Sequence, residues 1–322
     1  MHQSTSGRER LSDLKFHLIL VVVAAFWGSN NIVMKLGFDH LSPQQFGAVR
    51  MIIAFPFMIY LTCRLPGGRK FEKQDLLKIL GIGALGMGMF QVLFPLAVNY
   101  TSAPVGGILL ATMPVHVVIL SLIFRLERPR LLAVAGVLLT IAGLTVITLS
   151  SNQGTIAGET TVLGVVLFIF AELGFAIYST FLRPYMRKYS PLQITGAAMA
   201  VSTVIYIIWY FPYVRTIDVT SLTPTAWWTT AFSGLLPLIF ANVLWNIAIK
   251  HIGSTQASVY GNLPTLFVLL FSALILGELL NSIQLAGSLI VLAGVIMVQV
   301  RPVRIITLPD GTCVRTRKRE GS

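Results

Sequence analysis

The chain has 322 residues, of which 55% are hydrophobic and only 11% are charged, and its mean hydropathy is +0.79. This composition excludes a soluble domain of the same length, so the chain is expected to lie in a lipid bilayer. The net charge of +12 does not indicate a nucleic-acid partner, because the basic residues lie almost wholly between apolar runs, where they determine membrane topology.

Ten apolar runs follow one another along the chain. A helix needs roughly 20 apolar residues to cross a hydrocarbon core about 30 Å thick. The runs begin near Phe16, Pro43, Leu76, Ser102, Leu131, Thr161, Pro191, Ala226, Ser254 and Ile283. Prolines inside the runs predict kinks or local openings of the helices, at Pro56, Pro95, Pro114, Pro237 and Pro264. The sequence therefore predicts an all-α membrane protein with ten transmembrane helices.

The positions of lysine and arginine predict how these helices are oriented. If the N-terminus is cytoplasmic, nearly all basic residues outside the helices fall in cytoplasmic segments, and Arg215 lies in an outer loop. Such an alternation is typical of an even number of spans with both ends of the chain on the cytoplasmic side. We therefore expect a multi-pass protein of the cell (inner) membrane with both termini cytoplasmic.

The second half of the chain repeats the order of residues in the first. Pro43 and Pro191 are 148 residues apart and Pro114 and Pro264 are 150 apart, while an offset of 151 joins Glu127 to Glu278, Gly136 to Gly287 and Gly143 to Gly294. A duplication of this period inside apolar helices is typical of transporters. Because each half holds five spans, the second half is expected to enter the membrane with inverted topology.

This duplication divides the chain into five segments. They are a cytoplasmic N-terminal segment (1–15), a first five-helix repeat (16–149), an extracytoplasmic linker (150–160), a second five-helix repeat (161–300) and a basic cytoplasmic tail (301–322). The two repeats are expected to enclose a central cavity, since substrate sites in inverted-repeat transporters lie between the repeats near the bilayer midplane.

Several short motifs together resemble a known family. They are Trp27-Gly28, Arg50, the order Pro114, Glu127, Gly136, Gly143, and its copy Pro264, Gly277-Glu278, Gln284, Gly287, Gly294. The sequence resembles the EamA family of the drug/metabolite transporter superfamily. The resemblance implies a bundle of two inverted five-helix repeats around a central cavity that usually exports amino acids or related metabolites. The first copy departs from the pattern, because Leu126 stands where the family has a glycine before the glutamate.

Amide and indole side chains form two stripes inside the predicted spans. In the first span Trp27, Asn30 and Asn31 share one helical face, and the eighth span carries Asn242, Trp245 and Asn246. Aromatic faces with amide donors and acceptors suit a small zwitterionic or planar solute. The alternative interpretation is that the amides join neighbouring helices or that the tryptophans lie at a membrane interface.

Two charged residues lie within the predicted spans at comparable depth. At about 1.5 Å per residue, Arg50 is roughly 10 Å and Glu172 roughly 16 Å from the outer ends of their helices. We hypothesise that they form a pair or share a polar network, with Glu172 contacting a substrate ammonium group or carrying a proton. The alternative is that Arg50 has a purely structural role, bonded to backbone carbonyls.

Further polar residues extend the set of candidates. Gln91, Gln256 and Tyr260 are candidates for solute binding in the third and ninth spans. His116 is, in addition to Glu172, a candidate for proton coupling, although a single membrane histidine is more often a hydrogen-bonded packing residue. Glu127 and Glu278 lie at the ends of spans and are expected to clamp the corners of the repeats.

The sequence predicts transport rather than catalysis. It contains no metal-ligand cluster, phosphate-binding loop or activated nucleophile, so we expect no enzyme activity and neither cofactor nor metal. The expected function is a secondary transporter that exports small metabolites, amino acids or their derivatives foremost, by alternating access. An exporter of nucleobases, drugs or cationic compounds is the alternative on the same fold, while a channel or a membrane enzyme fits less well. The expected partners are the solute and the bilayer, and the sequence does not define the oligomeric state.

Overall fold

A computed structural model describes residues 4–64, 69–125, 131–150, 159–252, 258–299, 304–307 and 313–316. Helices dominate the first half. They are α1 (Ser4–Phe38), α2 (Pro43–Cys63), α3 (Lys73–Gly83), α4 (Met89–Asn99), α5 (Ala103–Leu110), α6 (Met113–Ile123) and α7 (Leu131–Leu149). A π-helical turn, Ala84–Gly88, joins α3 to α4.

The second half has the same character. Its helices are α8 (Val162–Leu182), α9 (Pro191–Trp209), α10 (Phe211–Val214), α11 (Pro224–Leu235), α12 (Ala241–Ile252), α13 (Leu263–Phe271) and α14 (Ser282–Gln299). Two π-helical turns, Leu236–Phe240 and Ser272–Leu276, and two 3-10 turns, Tyr185–Arg187 and Ser258–Asn262, complete it.

Side-chain caps fix where several helices begin. Ser42 accepts a hydrogen bond from the amide of Gln45, whose side chain accepts one from the Ser42 amide in return, so α2 starts with a reciprocal cap. Thr161 caps α8 through a single bond, which its hydroxyl group accepts from the amide of Gly164. Such bonds satisfy amide groups that have no partner within the helix, which matters most near a membrane interior.

Nine helical stretches in the described residues are long and apolar enough to cross a membrane. They are Lys15–Phe38, Pro43–Cys63, Lys73–Asn99, Ala103–Ile123, Leu131–Leu149, Val162–Leu182, Pro191–Trp209, Pro224–Trp245 and Ser282–Gln299. The ninth predicted run appears as a shorter apolar helix, Tyr260–Leu276, which follows residues outside the described ranges. These stretches confirm a helical, multi-pass membrane protein.

The prolines predicted to interrupt helices fall into two groups. Pro237 lies in a π-helical turn, while Pro114 and Pro264 lie in the first turns of α6 and α13, after non-α-helical residues. Pro56 and Pro95, in contrast, lie inside α2 and α4, which continue past them. Local openings therefore occur at three of the five predicted positions.

The tail of the chain differs from the helical bundle. Strands β1 (Arg304–Thr307) and β2 (Cys313–Thr316) pair antiparallel, from Arg304 opposite Thr316 to Thr307 opposite Cys313. This hairpin departs from the all-α prediction. Its physical reason is local, since β-branched residues, which favour strands, occupy three of the four positions in β1 and two of the four in β2.

Glycines allow the backbones of α7 and α14 to pack directly against each other. A Cβ atom at Gly143 would lie 2.7 Å from the amide nitrogen of Val291 and 2.8 Å from the carbonyl oxygen of Gly287. A Cβ atom at Gly136 would lie 2.6 Å from the carbonyl oxygen of Gly294. The glycines that repeat at an offset of 151 therefore bring the two backbones together.

We predict that Gly143→Ala destabilises the protein whereas Gly81→Ala does not. The added methyl group at Gly143 forces α7 and α14 apart, at a cost of about 1–3 kcal/mol. Gly81 is the matched control, because a Cβ there meets nothing within 4 Å. Thermal unfolding in detergent measures the stability of both variants. Equal melting temperatures for the two variants would contradict the described contact.

Candidate solute-binding site

The guanidinium group of Arg50 lies at the centre of a polar network between helices of both halves. Its Nη2 atom donates to Oε1 of Gln91 at 2.6 Å, and its Nη1 atom donates to Oγ of Ser233 at 3.2 Å. Nη1 also approaches Sδ of Met34 at 3.5 Å. Arg50 is 1% exposed. Helices α1, α2, α4 and α11 thus share one buried charge.

The network continues from α11 to α1. Ser233 donates to Oδ1 of Asn30 at 2.7 Å, and the amide nitrogen of Asn30 approaches Sδ of Met34 at 3.5 Å. Gly234 allows α11 to approach α2 this closely, because a side chain at this position would clash: its Cβ atom would lie 2.6 Å from the carbonyl oxygen of Arg50. The backbones of α2 and α11 therefore touch beside the guanidinium group.

Aromatic rings form the apolar wall of this region. The Arg50 guanidinium carbon is 5.9 Å from the centroid of the Phe94 ring, within the range of a cation–π contact. The Phe94 ring meets that of Phe168 edge to face, with centroids 5.7 Å apart. Phe168 lies on α8, so the wall also joins the two halves.

The hypothesis that Arg50 pairs directly with Glu172 is wrong in this structure. Arg50 directs its hydrogen bonds to neutral groups on α1, α4 and α11, whereas Glu172 lies on α8, one turn beyond Phe168. Glu172 is 2% exposed and forms no hydrogen bond or ion pair with any residue that the structure describes. Comparable depth in the bilayer did not place the two side chains next to each other, because depth fixes position along only one axis.

The side chain of Asn31 is buried without a hydrogen-bond partner among the described residues. It is 1% exposed, and neither its Oδ1 nor its Nδ2 atom is hydrogen-bonded within the described ranges. A Cβ atom at Gly106 would lie 3.5 Å from this Nδ2 and 3.3 Å from the Phe168 ring. Asn31 therefore faces α5 and α8 next to the aromatic wall, one position away from the Asn30 network.

The two tryptophans of the predicted stripes meet. The rings of Trp27 and Trp245 have centroids 5.2 Å apart, and Nε1 of Trp27 donates to the Pro237 carbonyl oxygen at 3.1 Å. Asn242 donates to the same carbonyl at 3.3 Å and to that of Leu238 at 2.9 Å. Asn242 thus bonds the π-helical turn of its own span, whereas the alternative interpretation had these amides joining neighbouring helices.

The remaining candidates lie away from Arg50 or outside the description. Tyr260 shares a hydrogen bond of 2.9 Å with Nδ1 of His17, near the start of the first span. Nδ1 of His116 lies 3.1 Å from the Thr112 carbonyl oxygen, which is the contact of a packing histidine. Gln256 and the side chain of Asn246 lie outside the described residues, as does Glu127.

A charged clamp closes the end of the bundle where α1 finishes. Nζ of Lys35 is 2.9 Å from Oε1 of Glu278, and the amide of Ala103 donates to Oε2 of the same carboxylate at 2.6 Å. Gly277 has a φ of +66°, which turns the chain sharply before Glu278. Glu278 was expected to clamp a corner of the repeats, and its partners here are the C-terminal end of α1 and the first residue of α5, both in the first half of the chain.

A second ionic cluster lies where α3 and α9 begin. Nζ of Lys188 is 2.6 Å from Asp75 and 2.7 Å from Glu72, and the hydroxyl group of Tyr189 donates to Asp75 at 2.7 Å. The hydrogen bond to Asp75, followed by that to Glu72, raises the pKa of Lys188. This cluster joins the two loops, a contact that no pattern in the sequence predicted.

Metal-binding geometry is absent from the part of the chain that the structure describes. No group of three histidine, cysteine, aspartate or glutamate side chains is placed to hold a metal ion there. The arrangement around Arg50 offers hydrogen bonds, charge and aromatic surface, which are the means of binding a solute. Ser233, Phe94 and Phe168, which contribute to it, were not among the predicted residues.

Comparison with known proteins identifies the family. The profile of the EamA-like transporter family matches residues 14–149 and again residues 162–300. The chain therefore belongs to the EamA-like transporter family, which confirms the resemblance found in its motifs. Its setting is the membrane and its class is that of transporters of small molecules.

Individual relatives span almost the whole chain. An uncharacterized transporter of Archaeoglobus fulgidus is 26% identical over 290 residues, covering 88% of this chain and 99% of that protein. A probable terminal-alkyne amino-acid exporter of Streptantibioticus cattleyicolor is 29% identical, covering 91% and 95%. A crystal structure with 16% identity superposes with a TM-score of 0.58, covering 88% of this chain and 96% of that one, and shows a shared fold.

We predict that Ser233→Ala lowers the free energy of unfolding by about 1–3 kcal/mol, because Arg50 and Asn30 both lose a buried partner. Ser202→Ala is the matched control, since Ser202 is also fully buried but donates only to the Met199 carbonyl of its own helix. Its cost should stay below about 1 kcal/mol. Chemical or thermal unfolding in detergent compares the two, and equal costs would contradict the network.

Proposed function

We propose that this member of the EamA-like transporter family is a secondary transporter that exports amino acids or their derivatives by alternating access. The observation that carries the proposal is the buried Arg50 network, to which α1, α2 and α4 contribute from the first half and α11 from the second. In transporters built from repeats, the solute site lies at the interface of the repeats. The name of the Streptantibioticus relative, a probable amino-acid exporter, supports the solute class.

The full architecture in this proposal is ten helices in two inverted five-helix repeats around a central cavity. The packing supports it, because related contacts occur twice: α4 packs on α8 as α12 packs on α1, and α6 packs on α8 as α13 packs on α1. The π-helical turns Ala84–Gly88 and Leu236–Phe240 recur at an offset of 152. A basic residue lies at the end of the first helix of each half, Lys35 in α1 and Arg183 directly after α8, at an offset of 148 residues.

The topology is part of the same proposal. Both termini and the Lys188 cluster face the cytoplasm, and the clamp of Lys35 with Glu278 lies at the outer surface of the inner membrane, because the basic loops alternate with uncharged ones. The clamp then holds the bundle closed to the outside. Export requires that it opens while the solute is bound and closes after release.

Buried acidic and basic groups supply candidates for energy coupling. Glu172 is a buried carboxyl group with no partner among the described residues, so it is the proposed carrier of a proton. The contact of His116 with the Thr112 carbonyl group favours a packing role for that residue instead. Coupling through Glu172 would let a proton gradient drive export.

A second function rests on the paired tryptophans. The rings of Trp27 and Trp245 lie 5.2 Å apart, a surface on which a planar nucleobase or drug could stack, or which a cationic compound could contact through its π face. The buried positive charge of Arg50 disfavours a cation in the neighbouring network. Amino acids therefore remain the first proposal.

A panel of radiolabelled metabolites tested in proteoliposomes, with and without a pH gradient, tests the function. We expect saturable uptake and counterflow of an amino acid, accelerated by the gradient. Glu172→Gln should abolish the acceleration while counterflow persists, whereas Asp218→Asn, a control in an exposed loop, should behave as the wild type. Transport of nucleobases or cations without any amino acid would overturn the proposed solute class.

We also predict that the clamp residues act as a unit. Glu278→Ala should destabilise the protein, because it removes both the ion pair with Lys35 and the acceptor of the Ala103 amide. A double-mutant cycle measured by unfolding in detergent should give a coupling energy of about 1 kcal/mol or more. The partly exposed pair of Lys188 and Asp75 is the control, with a coupling below about 1 kcal/mol. Additive effects at Lys35 and Glu278 would contradict a clamp.

A further inference from the structure

Three buried polar atoms beside the aromatic wall have no hydrogen-bond partner in the described parts of the chain. They are Nε of Arg50 and both Nδ2 and Oδ1 of Asn31. The first two are donors and the third is an acceptor. In a membrane interior, where an unsatisfied polar group costs several kcal/mol, such atoms mark a place that another molecule completes.

The rest of the Arg50 side chain is already held in place. Gln91 and Ser233 bind Nη2 and Nη1, while Phe94 lies against the guanidinium group at 5.9 Å. These bonds fix the plane of the guanidinium group, so the N–H group of Nε, the one nitrogen without a partner among the described residues, points in one direction at little entropic cost. Arg50 is thus a prearranged donor rather than a mobile one.

The same two aromatic rings lie near Arg50 and near Asn31. Phe94 lies against the Arg50 guanidinium group, and the Phe168 ring meets the Phe94 ring with centroids 5.7 Å apart. A Cβ atom added at Gly106 would lie 3.3 Å from the Phe168 ring and 3.5 Å from Nδ2 of Asn31, so this ring and this amide flank the same glycine. On the other side, Met34 contacts Arg50 and lies one turn along α1 from Asn31. Arg50 therefore contacts one ring of the pair, and Asn31 lies near the other.

No acidic side chain among the described residues forms an ion pair with Arg50. The ion pairs found among the described residues involve Lys35, Arg69 and Lys188, and each lies elsewhere in the bundle or its loops. A buried cation held only by neutral groups is costly, and a bound anion removes that cost. The position therefore favours a solute that carries a negative group.

We propose that Arg50 and Asn31 form the receptor for the carboxylate of the solute, which accepts from Arg50 Nε and Asn31 Nδ2 while its apolar part lies against Phe94 and Phe168. Asn31 Oδ1 then accepts from a donor next to the carboxylate, such as an ammonium group. This inference rests on the proposed function and narrows it. The solute is a small carboxylic acid with an apolar side chain, and compounds that carry only a positive charge are excluded.

Three leucine derivatives test the receptor by binding alone. We expect L-leucine and N-acetyl-L-leucine to raise the melting temperature of the detergent-solubilised protein, because both carry a carboxylate. L-Leucinamide, which lacks it, should have no effect. A response to leucinamide equal to that to leucine, or no response to either carboxylate, would overturn the receptor.

Two variants separate binding from structure. Asn31→Leu should weaken the response to leucine by about tenfold or more while leaving the unliganded protein at least as stable as the wild type, because an unpartnered amide is replaced by an apolar group of similar size. Gln193→Leu is the matched control, since Gln193 is a buried amide with an unpartnered oxygen on α9, and it should respond to leucine normally. A structural role for Asn31 predicts the reverse, a destabilised protein with an unchanged response.

The outcomes also separate the receptor from the proposed export function. Leucine binding without transport in proteoliposomes would leave the receptor in place and contradict export. Saturable transport of a solute that lacks a carboxylate, unaffected by Asn31→Leu, would leave the transporter in place and overturn the receptor.

Discussion

The structure depends on how a buried guanidinium group is accommodated inside an apolar helical bundle. A lipid environment offers no water to a charged group, so Arg50 takes its partners from three other helices. Gln91, Ser233 and Met34 supply hydrogen-bonding atoms, and Phe94 supplies the face of a ring. None of these partners carries a negative charge. The helices are held together around a positive charge that the described protein does not neutralise, and this is the basis of the proposed solute site.

Glycine and proline shape the bundle around that site. Gly143 and its counterparts bring α7 against α14 far from Arg50, and Gly234 brings α11 against α2 next to it. Pro237 lies in the π-helical turn whose carbonyl groups bind Trp27 and Asn242. Small residues thus decide which backbones touch, while interrupted helices supply the free carbonyl groups. Both features recur in the two halves, as expected for a duplicated unit.

Hydropathy and helical phase predicted much of this arrangement. Apolar runs of membrane-spanning length identified the helices, since the bilayer permits few other structures, and the phase of Trp27, Asn30 and Asn31 indicated that their side chains face the protein rather than lipid. The pairing of Arg50 with Glu172 failed because sequence gives the depth of a residue in its own helix but not the neighbour across from it. Ser233, Phe94 and Phe168 were missed because a serine or phenylalanine in an apolar run gives no signal of its own. The tail hairpin was not predicted because its strands are only four residues long, too short for a distinct pattern beside the membrane spans.

In the proposed site, the carboxylate of a solute accepts the hydrogen bond that Arg50 Nε does not give to any described residue. The most direct measurement is the 15N resonance of its Nε–H group, identified by its loss in Arg50→Lys and observed in detergent with and without L-leucine. Leucine should shift this resonance, because its carboxylate binds at Nε–H, and leucinamide, which lacks the carboxylate, should leave it unchanged. A resonance that does not respond to leucine, in protein that remains folded, would contradict the proposed site.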